Sequence, residues 1–218
     1  MRRVIFTLFV VGLAAVSTSA QTSDRPSSQS NCALTLSQSP AIRGMKLGLS
    51  TEQVLSMFPG SNQRPEIIRS LNDARGYPNY GLAGLSFTRV SDPLVFADKF
   101  SGIGSFWITV FDGRVNEIRV WYAGAHETPE GADWPGARGL DEFITKISEA
   151  FALPPAAAWV LNRELGKVLT CQGFDVIASN SGERAALRLR VTPYNAYNDA
   201  LEVRRATDEQ NLRKAFKP

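Results

Sequence analysis

The sequence predicts an α+β protein made of two helix-helix-three-strand units, with an antiparallel sheet and helices packed on one of its faces. Three observations carry that prediction. Apolar and polar residues alternate along Leu82 to Val90, Gly104 to Phe111, Arg114 to Tyr122 and Arg184 to Thr192, the period of a half-buried strand. Leu140, Phe143, Ile144, Ile147 and Phe151 instead recur at helical spacing. The same element order, helices and then strands, occurs twice along the chain, which suits helices layered on antiparallel sheet.

The elements follow in order. Residues 1–20 read as a cleavable export signal: Arg2-Arg3, an apolar run from Val4 to Val16, then the small residues Thr18 and Ala20 at the cleavage position. The run falls short of the roughly 20 apolar residues a membrane span needs, although a retained N-terminal anchor is the alternative. Residues 21–31, rich in Ser and Gln, form a flexible tether. The first unit occupies 32–122. Cys32 to Leu36 suits a short edge strand. Ser50 and Gln53 have capping-box spacing ahead of Val54, Leu55 and Phe58, and Pro59-Gly60 stops that helix. A second helix runs from Pro65 to Ala74, with proline tolerated in its first turn. Three strands follow, and 91–103 between the first two reads as a loop.

Asp112-Gly113 is the strongest turn signal in the chain. A two-residue loop in unbroken register would set Phe106 against Arg119 and Ile108 against Glu117. An odd-length loop, with Gly113 in a bulge, keeps Phe106, Ile108 and Val110 on one face with Ile118, Val120 and Tyr122. The odd loop is therefore the expectation. Residues 123–138 form a connector rich in Gly and Pro. The second unit, 139–218, begins with the amphipathic helix and continues through a short helical turn at Ala156 to Leu161. Strands at Lys167 to Gln172, Phe174 to Ser179 and Arg184 to Thr192 follow. A largely polar C-terminal helix beyond Asn198 lies on the surface.

Composition excludes some function classes. At 44% apolar and 21% charged residues the chain is an ordinary globular protein that must bury a core. Of 24 basic residues, Arg2 and Arg3 leave with the signal, so 22 face 21 acidic ones. That balance disfavours nucleic acid, whose phosphates call for a basic excess. Two cysteines in an exported chain suggest one disulfide, Cys32 to Cys171, with free thiols or an intermolecular bond as alternatives. The expected location is periplasmic or secreted, with no stable membrane anchor and no cofactor.

Catalytic signals are sparse. His126 is the only histidine and sits in the polar connector without a nucleophile elbow. One histidine and two cysteines make no zinc set. Gly102-Ile103-Gly104-Ser105 is too short for a phosphate cradle and leads into a strand. Asp141-Glu142 lie where a helix dipole favours acids. A hydrolase using two carboxylates far apart in sequence and a carrier with an enclosed apolar cavity remain alternative classes.

The expected binding residues are Trp107, Glu117, Arg119, Trp121, Arg188 and Arg190. If helices cover the even-numbered face, these six point the other way, and exposed Trp with Arg is typical of recognition hot spots. The competing arrangement buries Trp107 and Trp121 under the 91–103 loop or the C-terminal helix, with Arg119 stacked between them.

The run Gly44-Met45-Lys46-Leu47-Gly48-Leu49-Ser50-Thr51-Glu52-Gln53-Val54-Leu55-Ser56-Met57-Phe58-Pro59-Gly60 resembles the opening of the SmpA/OmlA-like envelope proteins. The β-lactamase inhibitor proteins resemble two such units in tandem, and the element order here is similar. The resemblance implies an exported module whose open sheet face contacts another envelope or secreted protein. The lipidated cysteine of the lipoprotein members is missing, and no functional residue is carried over.

Overall fold

A computed structural model of the chain describes residues 31–76, 79–122, 139–181 and 184–215. The expected export signal, the tether apart from Asn31, the connector 123–138 with His126, and Phe216 lie outside them.

The first half runs α1 (Thr51–Ser56), α2 (Pro65–Asp73), β1 (Leu82–Thr88), α3 (Pro93–Asp98), β2 (Ile103–Phe111) and β3 (Arg114–Tyr122). The second runs α4 (Leu140–Ala150), β4 (Val160–Asn162), β5 (Gly166–Thr170), β6 (Phe174–Ser181), β7 (Arg184–Val191) and α5 (Tyr194–Ala215). All seven strands form one antiparallel sheet in the order β1-β2-β3-β7-β6-β5-β4. The fold is α+β. The last strand of each half meets at the centre, where Ile118 faces Leu189 and Val120 faces Leu187. Matching apolar parity on β3 and β7 lets the two hairpin systems share one buried face.

The β2–β3 turn corrects one expectation. Its loop has two residues, Asp112 and Gly113, both at positive φ (48° and 76°), because Phe111 pairs with Arg114. Such a turn twists in the sense of its strands. The parity change comes instead from a bulge: Val110 faces Val115, but Thr109 faces Glu117, so Asn116 is the extra residue. Val115, Ile118 and Val120 are thereby all buried with Phe106, Ile108 and Val110.

The 91–103 segment is a second correction. It is not a plain loop; Pro93 opens the single-turn helix α3, which delivers Phe96 and, just beyond it, Phe100 into the core. They join Phe58, Phe87 and Phe106, with Phe58 and Phe87 stacked at 3.8 Å and Phe100 edge-on to Phe106 at 4.9 Å. Six residues are too few for a helical period to stand out in sequence. Cys32 to Leu36 is likewise not a strand: only Thr35 bridges to Gln172 before a 3-10 turn at Leu36–Gln38. The Ala156 to Leu161 stretch divides into a 3-10 turn, Ala156–Ala158, and the start of β4.

Four devices fix the frame around the sheet. The Ser50 hydroxyl accepts from Gln53 N while the Gln53 side chain accepts from Ser50 N, closing the expected capping box on α1. Ser70 of α2 binds both backbone groups of Gly84, covering the outer edge of β1. The Cys32–Cys171 disulfide ties the N-terminal segment to the β5–β6 turn. Finally, Arg204 of α5 grips Asp112 with two hydrogen bonds, donates to the Tyr80 carbonyl and lies 5.0 Å over the Phe111 ring. Among the described residues no helix is long and apolar enough to cross a membrane.

Candidate functional site

Strand register decides which side chains share the face opposite the core. Reading across the sheet, Ser86, Trp107, Arg119, Arg188 and Ile177 form one row of direct partners. Thr109, Glu117, Arg190 and Asp175 form the next, and Trp121 stands beside Ala186. All six residues singled out from the sequence therefore lie together on this face. The three strands that bear these six residues, β2, β3 and β7, are all interior to the sheet, so the backbone beneath them is held by ladders on both sides.

The electrostatics follow from the rows. Arg119 and Arg188 sit directly opposite one another, a like-charge pairing that destabilises unless something intervenes. Glu117 does so: Arg188 Nη2 donates to its Oε2 at 2.6 Å and Arg119 Nη2 to its Oε1 at 3.3 Å. The Glu117 side chain is only 8% exposed, against 19% for Arg188 and 36% for Arg119. One buried carboxylate thus orients two guanidinium groups that reach toward water. Arg190 is treated differently. It bonds Asp175, which is itself buried, through both Nε and Nη2.

The aromatic residues divide. Trp107 is 44% exposed. Its indole lies across Gly84, where a Cβ would come within 3.1 Å of the ring, so the missing side chain makes the seat. Trp121 is half-buried, with the Arg119 guanidinium 5.5 Å from its ring. The competing arrangement is realised in that one contact, and Trp107 stays open.

Two half-open hollows flank the Arg119–Arg188 pair, and both arginines line each of them. One, about 530 Å³, lies between the sheet and α2, walled by Arg69 and Asp73 and floored by Trp107. The other, about 460 Å³, lies under the β4–β5 turn, with Arg163, Glu164 and Leu165 above Trp121. Such a surface can hold an anionic group between forked guanidinium donors while an apolar or aromatic group rests on an indole.

Sequence reasoning missed Asp175, Gly84, Arg163 and Arg69. Asp175 could have been found as the single acid on a strand whose neighbour in the ladder carries alternating arginines. Gly84 gave only the general hint that a glycine inside a strand marks a close approach. Arg163 and Arg69 belong to the site through tertiary placement, which no local pattern encodes. Comparison with protein-family models, curated proteins and solved structures gives no match.

Proposed function

We propose that the chain is an exported binding protein that holds another envelope or secreted protein against the open face of its sheet. The observation carrying this reading is Trp107, exposed on a strand interior to the sheet beside two arginines with unused donors. Tryptophan and arginine on a rigid, ordered surface are the groups that concentrate binding energy in protein interfaces. The disulfide suits an oxidising, extracytoplasmic compartment, periplasmic or secreted. The resemblance of residues 44–60 to SmpA/OmlA-like proteins points the same way. On that resemblance the two halves, joined at β3–β7, are tandem units with helices packed on one face and the other left for the partner. The hydrolase alternative is weaker, because both buried acids on this face, Glu117 and Asp175, are engaged by arginines. A carboxylate so held serves to position its partners, whereas a general acid or base needs a free path to substrate.

Capture from envelope extract on the immobilised mature chain tests the reading. The wild-type chain should retain a partner, and Trp107→Ala with Trp121→Ala should lose it while keeping its circular dichroism and its disulfide. Undiminished capture by a folded double variant contradicts the assignment.

A further inference from the structure

We infer that the hollow beneath the β4–β5 turn receives an acidic side chain of the partner, with an apolar neighbour of that side chain resting on Trp121 and Leu165. The inference deepens the proposed binding face and rests on it. Three arginines line this hollow, Arg119, Arg163 and Arg188, against one acid, Glu164. Adding Glu117, which underlies two of the three, still leaves one positive charge in excess.

The donors are set in place before any partner arrives. Arg188 uses one nitrogen on Glu117, and its Nε is buried with no hydrogen-bond partner. Arg119 is fixed by Glu117 on one side and by the Trp121 ring on the other. Arg163 is exposed and makes no ion pair among the described residues. The turn that carries it is rigid, because Asn162 Oδ1 accepts from both Glu164 N (3.0 Å) and Leu165 N (3.1 Å). An incoming carboxylate matches the fork of a guanidinium, and exposed Arg163 and partly exposed Arg119 present donors to it. Prior ordering of these side chains lowers what binding must spend on fixing them. Leu165, Ile177 and Ala186 supply apolar wall beside the charges, which a fully hydrated ion would not use. The hollow is half-open, so a side chain on a protein surface can enter it from outside.

Photo-crosslinking in the full chain, produced in cells, tests this. A photoreactive residue replaces Leu165 in one protein and Trp107 in another, and adducts are sequenced by mass spectrometry. The Leu165 probe should join a partner peptide containing Asp or Glu at or next to the joined residue. Arg163→Glu should lower that adduct at least about tenfold, and Arg163→Lys should largely preserve it. An adduct on a peptide without acids, an adduct indifferent to Arg163→Glu, or an adduct from the Trp107 probe alone overturns the inference and leaves the binding face standing. No adduct from either probe removes the binding face, and the inference with it.

Discussion

Glu117 decides whether the face exists as described. Its carboxylate lies between two arginines that the sheet register forces opposite each other, so the arrangement is a like-charge pair made tolerable by a third group. Glu117→Gln keeps the shape and removes the charge. We expect it to destabilise the fold by about 3 kcal/mol, at the low end for a broken buried ion pair because both arginines still reach water. Urea unfolding measures this, and a loss under roughly 0.5 kcal/mol, as for surface pairs, would contradict the assigned role. At this scale the sequence was informative about type but not about pairing. Alternation placed Glu117, Arg119, Arg188 and Arg190 on one face. That Glu117 serves Arg119 and Arg188, while Asp175 serves Arg190, depends on β3 lying beside β7. No local pattern carries that adjacency.

Among the elements, α5 leans heavily on charge. Leu201 is the one buried apolar residue among its described side chains, and the helix is fastened by Arg204 on Asp112 and by the Tyr80 hydroxyl donating to Asp208. Hydrogen bonds from Arg204 hold the Asp112 carboxyl below its ordinary value, and Asp112 in turn raises Arg204. A depressed aspartate contributes stability above its unfolded pKa and loses it as pH falls through the folded one. Hydrogen exchange in α5 should therefore rise as pH drops below about 4, with the core strands still protected. Asp112→Asn should show the faster exchange already at neutral pH and little further acid response. Equal protection in wild type and variant would mean the latch does not hold the helix.

The legibility of the elements tracks their length and period. The capping box at Ser50, proline-started α2, the β2–β3 strands and amphipathic α4 were readable, since each carries its signal within about ten residues. The single turn of α3 was not, although Phe96 and Phe100 are core residues. Nor was the bulge at Asn116 separable from an odd-length loop, because both give the same facing of side chains.

For the molecule as a whole, the disulfide closes the longest loop. Cys32 and Cys171 are 139 residues apart, for which the chain-entropy model gives at most about 5 kcal/mol of stabilisation. The pairing was legible because a chain with two cysteines has one intramolecular choice. Reduction should lower the urea midpoint and release the N-terminal segment first, seen as faster exchange across residues 32–46 with α4 unchanged. A reduced protein with an unaltered midpoint would show that the bond adds nothing to the fold. The joined sheet was not legible at all: two strand sets in sequence do not announce that their last members pair, and that pairing creates the face on which the Trp and Arg side chains gather. Hydroxyl-radical footprinting of the chain alone and in envelope extract tests that face most directly. Val90 and Leu94, highly exposed apart from it, serve as internal standards. If the face is the binding surface, Trp107 oxidation falls in the extract while Val90 and Leu94 react as before. Trp107 reacting equally in both, with protection appearing on another surface, would contradict it.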